Sequence, residues 1–277
     1  MKNLFVAAPL VFAKHLVDAH YLLRAALAVL AFCALSGAVY AFNDLRDVEA
    51  DRAHPTKRHR PIAAGHLGER AALILAAVLA TVGLGTALAL APMAGLWAGL
   101  YLAQNLAYSL KLKQVAFVDV MLIAAGFILR VMAGGAAIGV APSPWLLACT
   151  GLLAMFLGMG KRAHELARAR AAGRDVGTTR AALAGYRPQV VQVAMVVLAL
   201  ATIGAYVAYT LDAHTVAYFG TRKLVWSAPF GAIGVGRFAF LTLRTRGDDS
   251  PTDAMLRDPL FLLNLLAWAV VILAIVY

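Results

Sequence analysis

Long apolar runs recur along the whole chain, and they restrict its fold more than any other feature of the sequence. A helix needs about 20 consecutive apolar residues to cross a bilayer, and several of these runs approach or exceed that length. Charged residues make up only 14% of the 277 positions, whereas an ordinary soluble domain carries roughly 25%. The sequence therefore predicts an all-α fold, a polytopic bundle of about nine transmembrane helices around a central cavity. Because no low-complexity linker divides the chain, we expect one transmembrane domain over 1–277.

The predicted spans are 3–20, 22–42, 70–91, 93–110, 117–138, 144–162, 188–210, 222–243 and 257–277. The first span is the least regular, because Lys14, His15 and Asp18 interrupt its apolar pattern. The alternative count is therefore eight full spans and one half-inserted segment.

Basic residues are unevenly distributed between the connections. Most of them follow the second, fourth, sixth and eighth spans, and an excess of Lys and Arg marks cytoplasmic connections. We therefore expect these connections to face the cytoplasm. The net charge of +11 is explained by this topology and by attraction to anionic headgroups. Membrane lipids are thus expected partners and nucleic acid is not.

A dense group of charges follows the second span, in NDLRDVEADRAHPTKRHRPIAAG. If the second helix continues into this stretch, a turn of about 100° per residue brings four oxygen-bearing side chains to one face. They are Asn43, Asp44, Asp47 and Asp51. Carboxylates on one face repel one another unless a cation lies between them, and Mg²⁺ takes oxygen ligands completed by substrate phosphates. The alternative is a solvated helix end at which each aspartate pairs with a nearby arginine.

Basic residues follow these aspartates directly, at Lys57, Arg58 and Arg60. Arginine forks and lysine ammoniums bind the outward oxygens of metal-bound phosphates. An aspartate-rich helix followed by a basic loop therefore predicts a Mg²⁺–diphosphate site. We expect His54 and His59 to form hydrogen bonds within the loop, because a hard ion prefers oxygen ligands.

Further charges lie inside or beside later spans. Asp119 and Arg130 are eleven residues apart, which brings them to the same face of the fifth predicted span. An arginine within a span usually faces a cavity or a partner, and a structural pair or snorkelling is the alternative. Tyr108 and Lys113, near the end of the fourth span, are candidates for the same cavity.

A third charged group, Lys161, Arg162 and Glu165, leaves the sixth span together. Lys161 and Glu165 are four residues apart, so a surface ion pair is the simple explanation. The functional alternative is a second charged layer over the phosphates, with Glu165 touching a second metal ion or a sugar hydroxyl. The predicted site loops are then about 43–69 and 161–187.

The stretch NDLRDVEAD resembles the NDxxDxxxD motif of the UbiA-type intramembrane prenyltransferase superfamily. The number of spans and the position of the motif after the second one agree with that superfamily. The longer stretch from Asn43 to Gly65, with YSLKLK, GFILRVMAGG, GKRAHE and the terminal LRDPLFLLNLLAWAVVILAIVY, is similar to one branch of it. That branch is the decaprenyl-phosphate 5-phosphoribosyltransferases.

Members of the superfamily that prenylate aromatic rings carry a second motif, DxxxD, after the sixth span. Here that loop offers only Glu165 and Asp175. A DxxxD at Asp249–Asp253 follows the eighth span instead, and we interpret it as solvated. The difference favours the phosphoribosyl branch, in which the diphosphate leaves from a sugar.

The resemblance implies a soluble donor, 5-phosphoribosyl diphosphate, and a membrane acceptor, a polyprenyl phosphate, for cell-envelope glycolipid or arabinan precursors. It implies Mg²⁺ bound by Asn43 and the catalytic aspartates Asp44, Asp47 and Asp51. The basic loop residues are assigned to the donor phosphates. Lys161, Arg162 and Arg130 are assigned to the 5-phosphate or the acceptor phosphate, and helical spacing does not choose between these two.

Two other functions stay open. One is a UbiA-type prenyltransferase that moves a prenyl group from a prenyl diphosphate to an aromatic acceptor. The other is a lipid transporter, although the sequence has no inverted repeat of broken helices to support it. The acceptor chain length and a homo-oligomeric state also stay open.

Overall fold

The computed structural model describes residues 2–54, 56–171, 173, 181–244 and 250–277, and within them the chain is helical without β-strands. The α-helices are α1 (Ala8–Phe12), α2 (Ala19–Arg46), α3 (Val48–Arg52), α4 (Glu69–Leu90), α5 (Pro92–Leu110), α6 (Val118–Ile138), α7 (Pro144–Ala171), α8 (Pro188–Leu211), α9 (Ala213–Phe219), α10 (Ala228–Arg244), α11 (Pro251–Arg257) and α12 (Pro259–Val276). Short 3₁₀ helices cover Lys2–Ala7, Lys57–His59, Leu112–Gln114, Ala181–Gly185 and Lys223–Ser227. The predicted all-α class is confirmed.

Seven helices of the described part are long and apolar enough to cross a membrane. They are α2, α4, α6, α7, α8, the continuous stretch Lys223–Arg244 and α12. The predicted number of nine is therefore not confirmed. The fourth predicted span is a helix, α5, but Gln104, Asn105 and two tyrosines make it less apolar than the others.

The first predicted span, 3–20, is wrong as a continuous helix. The Lys2–Ala7 turn runs into α1, which ends at Phe12, and Lys14 then takes a left-handed backbone conformation with φ of 60°. Asp18 starts α2 by accepting a hydrogen bond from the His20 N–H at 2.9 Å. The polar residues that interrupted the apolar pattern thus end one helix and cap the next.

The chain divides into two compact units. The first comprises Met1–Leu110 and Ile128–Pro142, and the second comprises Lys111–Phe127 and Ser143–Tyr277. Helix α6 therefore gives its first half to the second unit and its second half to the first. A single domain over 1–277 stays a prediction.

In the first unit α2 packs along α4, and α4 packs against α5. Phe32, Leu35 and Tyr101 are the large buried side chains of its core. The N-terminal turn joins this core at Val6, whose carbonyl oxygen would lie 1.8 Å from a Cβ at Gly134. Only glycine on α6 allows this approach, as expected for small residues between membrane helices.

In the second unit α7 packs on α8, and α10 contacts α8 and α12. Phe156 and Phe238 meet edge to face at the centre of its core, with ring centroids 5.3 Å apart. Large apolar side chains on the outer faces of α8 and α12, such as Leu200 and Leu266, are exposed. Such faces suit contact with lipid chains.

Candidate active site

The aspartate motif lies where α2 gives way to α3. The helix continues through Arg46 as predicted, and Asp47 forms a turn before α3 begins at Val48. The Asp47 N–H donates to the Asn43 carbonyl at 3.0 Å, and the Asp51 N–H donates to the Asp47 carbonyl at 2.8 Å. These hydrogen bonds between residues i and i+4 continue the helical spacing across the turn. Asn43, Asp47 and Asp51 therefore lie one helical turn apart from one another.

Asp44 and Asp51 share one arginine. Arg60 Nη1 lies 2.8 Å from Asp44 Oδ1 and 2.8 Å from Asp51 Oδ2. The Asp51 side chain is only 4% exposed, and its other oxygen lies 3.9 Å from Lys57 Nζ. A buried carboxylate needs such partners, because its charge has lost most of its water.

This arrangement contains elements of both interpretations made from the sequence. The aspartates are paired with a local arginine, and no group of three or more His, Cys, Asp or Glu side chains in the described ranges is arranged to hold a metal ion. Yet one oxygen of Asp44 and one oxygen of Asp51 already face the same atom, Arg60 Nη1. Mg²⁺ is usually bound through one or two carboxylates and completed by substrate phosphates and water, so the donor set fits that ion.

Hydrophobic contacts hold the basic loop in place. Ile62 is buried against Val48 of α3 and Ala72 of α4. The Arg60 carbonyl accepts a hydrogen bond from the Ala64 N–H at 2.8 Å. The backbone of the loop is therefore anchored beside the aspartates, whereas the Arg60 side chain is 37% exposed.

The loop histidine His54 is a hydrogen-bonding residue, as predicted. Its Nδ1 accepts from the backbone N–H groups of Thr56 and Lys57, both at 3.3 Å. Arg58 is exposed, and its Nε donates to His59 Nε2 at 3.4 Å. Lys57 and Arg58 thus stand at the surface of the loop, available to anionic groups in solution.

A second polar cluster, in the second unit, is almost fully buried. Asp119 is 0% exposed and Arg162 is 1% exposed, and Arg162 Nε lies 3.2 Å from Asp119 Oδ2. Tyr186 donates its hydroxyl to Asp119 Oδ1 at 2.6 Å and accepts from the Phe117 N–H at 2.7 Å. Burial, and then the bond to this carboxylate, raise the pKa of Tyr186 well above its ordinary value, so the hydroxyl stays a donor.

Glu165 forms an ion pair with Arg162, three residues earlier on α7. The surface ion pair of Glu165 with Lys161, four residues earlier, stays a prediction. Arg162 therefore connects two carboxylates, one buried and one half-buried. Lys161 itself is exposed on α7.

Arg130 belongs to a buried polar network of the first unit. Its Nη2 donates to the Tyr101 hydroxyl at 2.7 Å, and its Nε donates to Asn3 Oδ1 at 3.1 Å. Its guanidinium also lies over the Tyr101 ring, 4.4 Å from the centroid. The Ser36 hydroxyl donates to the same Asn3 oxygen at 3.1 Å. Arg130 and Asp119, which the sequence placed on one face, thus bond to groups of different units.

The remaining predicted site residues are less constrained. Tyr108 is half-buried on α5 of the first unit, and Lys113 is half-buried on the short turn Leu112–Gln114 of the second. Asp175 and Asp249 lie outside the described residues. Asp253 is exposed and accepts a hydrogen bond from the Ser250 hydroxyl at 2.7 Å, in keeping with the solvated interpretation.

Three residues of these clusters could not be assigned to them from the sequence around each residue. Tyr186, Tyr101 and Asn3 bond to partners that are 67, 29 and 127 residues away along the chain. Helical spacing relates only residues a few turns apart, so it cannot pair them. The one available indication is that a polar group within an apolar segment usually faces the protein interior.

The chain belongs to the UbiA prenyltransferase family, whose model matches residues 4–265. It is therefore a transferase and an integral membrane protein. It is 35% identical to the decaprenyl-phosphate phosphoribosyltransferase of Mycobacterium tuberculosis, over 97% of this chain and 88% of that protein. It is 32% identical to the enzyme of the same name from Mycolicibacterium smegmatis, over 100% of this chain and 89% of that one.

Two further matches complete the comparison. The chain is 34% identical to the uncharacterized protein y4nM of Sinorhizobium fredii over 93% of its own length, but it spans only 50% of that protein. A UbiA homologue from Archaeoglobus fulgidus, solved with DMAPP and Mg²⁺ bound, superposes with a TM-score of 0.73 at 17% identity. That superposition covers 99% of this chain and 95% of the homologue, and it establishes the fold.

Proposed function

We propose that this protein transfers 5-phosphoribose from 5-phosphoribosyl diphosphate to a polyprenyl phosphate and releases diphosphate. The observation that carries the proposal is the likeness to decaprenyl-phosphate phosphoribosyltransferases, which extends over nearly the full length of this chain and most of theirs. The paired aspartates and the anchored basic loop support it, because they suit a metal-bound diphosphate. Decaprenyl phosphate is accordingly the first acceptor to test.

Asp44 and Asp51 would hold Mg²⁺, with Asn43 and Asp47 of the same helical stretch as further oxygen donors. When bound, the ion would supply Lewis-acid polarisation of the leaving diphosphate and a template for its orientation. Solved UbiA homologues carry Mg²⁺ or Cd²⁺, which makes a divalent ion the natural candidate here. The chain itself contributes the converging carboxylates.

The basic loop would bind the outer oxygens of the donor phosphates. Lys57 and Arg58 are exposed beside the aspartates, and Arg60 lies between two of them. These cations neutralise charge that would otherwise build up on the departing diphosphate. They also bring a polyanionic donor to a surface that must accept a second anion, the lipid phosphate.

The transfer breaks the bond between C1 of the ribose and the diphosphate oxygen, and both electrons leave with the diphosphate. The acceptor phosphate oxygen forms the new bond to C1, through a transition state of oxocarbenium character as in other glycosyl transfers. Since this oxygen is already an anion, the reaction needs no strong general base. We expect inversion at C1.

In the second unit, the burial of Arg162 favours a positioning role over direct contact with a phosphate. Arg162 holds Glu165 on one side and Asp119 on the other, and Tyr186 ties the same cluster to the segment before α8. Lys161, which is exposed, remains the better candidate for a phosphate oxygen. Arg130 similarly fits a positioning role, through Asn3 and Tyr101.

We place the reaction at the cytoplasmic face of the bacterial inner membrane, where a soluble donor and a lipid acceptor can meet. The basic connections support this orientation, since Lys and Arg accumulate on the cytoplasmic side. The product would enter the synthesis of cell-envelope glycolipids.

Two substrate pairs distinguish this proposal from a ring prenyltransferase. The purified protein is given either phosphoribosyl diphosphate with decaprenyl phosphate, or a prenyl diphosphate with an aromatic acceptor, each with Mg²⁺. We expect product from the first pair, its loss with EDTA and its return when Mg²⁺ is restored. Product from the second pair alone would contradict the proposal.

A further inference from the structure

Arg60 bonds to one oxygen of each of two aspartates that would hold a metal ion. Its Nη1 lies 2.8 Å from an oxygen of Asp44 and 2.8 Å from an oxygen of Asp51. Mg²⁺ binds oxygen ligands at about 2.0–2.1 Å, so an ion bound by the same two oxygens needs the same space. The arginine nitrogen and an ion bound by these two oxygens therefore exclude each other.

The charge of Arg60 is needed while no ion is present. Asp51 is 3% exposed, and its carboxylate and that of Asp44 both bond to the same Arg60 nitrogen. Two carboxylates this close, one of them buried, destabilise the fold unless a cation stands between them. Lys57 Nζ, at 3.9 Å from Asp51, is too distant to replace a direct hydrogen bond.

The structure also allows Arg60 to change partners. Its backbone is held by the hydrogen bond from Ala64 and by buried Ile62, but its side chain is 37% exposed. The tip of the side chain can therefore move while its base stays beside the aspartates. A guanidinium that leaves a carboxylate needs another anion, and a phosphate oxygen accepts the same fork.

We infer that Arg60 is an exchangeable internal cation: it neutralises Asp44 and Asp51 in the free enzyme and moves to the donor diphosphate when metal and diphosphate bind. The inference rests on the proposed metal–diphosphate role of this site. Free metal must displace Arg60 with no new partner for it, whereas the diphosphate provides that partner. Metal and diphosphate binding are consequently coupled, and by linkage each increases the affinity for the other.

Metal binding tests this directly, with Mn²⁺ as the probe and electron paramagnetic resonance of the free ion as the readout. The measurement is made on the full-length protein in detergent, with and without inorganic diphosphate. Arg60→Gln removes the competing cation, so we expect it to bind Mn²⁺ alone roughly tenfold more tightly than the wild type. Its gain in Mn²⁺ affinity on adding diphosphate should be correspondingly smaller.

Arg52→Gln is the matched control. Arg52 carries the same charge one residue after Asp51, but its partners are Glu49 at 2.6 Å and Glu69 at 3.8 Å. This variant should bind Mn²⁺ within about twofold of the wild type, because an exposed charge is largely screened. Arg60→Lys keeps a cation at the site, so its affinity for Mn²⁺ should lie between those of the wild type and Arg60→Gln. It provides a second measurement if the glutamine variant does not fold.

The results of these measurements distinguish a failure of this inference from a failure of the proposed function. Unchanged or weaker Mn²⁺ binding in both Arg60 variants would overturn the exchange. Mn²⁺ binding that survives Asp44→Asn together with Asp51→Asn would overturn the metal site as well. If the Mn²⁺ and diphosphate results are as expected but no phosphoribose is transferred, the exchange is supported and the proposed substrate is wrong.

Discussion

Arg162 is a charged side chain that the protein buries almost completely, at 1% exposure. Its contacts with Asp119 and Glu165 explain how it can be buried, because a guanidinium out of water needs anionic partners. The sequence identified both Asp119 and Arg162 as unusual, since charges beside apolar spans are costly. It could not pair them, because they lie on different helices and the third member, Tyr186, is 67 residues from Asp119.

We predict that the buried contacts of Arg162 stabilise the fold. Asp119→Asn leaves Arg162 buried with less compensation, and breaking a buried ion pair costs about 3–5 kcal/mol. Tyr186→Phe removes only a hydroxyl and should cost about 1–3 kcal/mol. Thermal unfolding in detergent measures both.

Glu49→Gln is the control for these two variants, because Glu49 forms an exposed pair with Arg52 and should contribute under about 1 kcal/mol. Equal melting temperatures for Asp119→Asn and Glu49→Gln would show that the buried pair does not stabilise the fold.

We predict that the aspartate motif is required for the transfer reaction. Asp44→Ala and Asp47→Ala should each lower the transfer rate by at least about 100-fold, since each removes an oxygen donor for the proposed Mg²⁺ ion. Both proteins should still elute as folded species from a sizing column in detergent.

Glu49→Ala is the matched variant for this experiment, because Glu49 lies in the same motif region but points to solvent. It should retain the wild-type rate within about threefold. Full activity of both aspartate variants would disprove the assignment of the metal site.

At the scale of elements, hydropathy located most helices but not where they end. Helix α7 continues to Ala171, nine residues beyond its predicted end at 162, because KRAHELARARA is rich in strong helix formers although it is polar. The first span failed for the opposite reason: Lys14 and Asp18 stop a helix that the apolar residues alone would extend. An apolar pattern shows which part of the chain can lie within the membrane. Helix propensity and capping residues determine where a helix begins and ends.

The contact between the N-terminal turn and α6 gives a prediction at this scale. Gly134→Ala places a methyl group against the Val6 carbonyl, and overpacking of this kind costs about 1–3 kcal/mol. The displaced turn carries Asn3, a partner of Arg130, so the variant should also show faster proteolysis near its N-terminus.

Gly99→Ala tests the specificity of that effect. A Cβ at Gly99 of α5 meets no atom within 4 Å, so this substitution should leave stability unchanged or raise it by about 0.5–1 kcal/mol. A loss of stability in both variants would indicate a general intolerance of these helices to alanine rather than a close contact at Val6.

At the scale of the whole molecule, composition was enough to predict a membrane protein of helices, because only helices and closed barrels satisfy a backbone in lipid. The proposed substrate rests on different evidence, the likeness of specific motifs to one branch of a family. Residue spacing predicted that the second helix continues past Phe42, which the structure confirms as far as Arg46. It could not predict that Arg60 joins Asp44 to Asp51, since loop conformation rather than helical periodicity brings that side chain back to the helix.

In the proposed reaction ribose leaves its diphosphate for a lipid phosphate, and a double-label experiment follows both groups at once. Phosphoribosyl diphosphate labelled with one isotope in the ribose and another in the β-phosphate is incubated with the purified protein, Mg²⁺ and decaprenyl phosphate. We predict that the ribose label enters the organic extract while the β-phosphate label stays in water, and that Asp44→Ala abolishes this separation. Ribose label absent from the lipid, with folded protein and acceptors of several lengths, would contradict the proposed transfer.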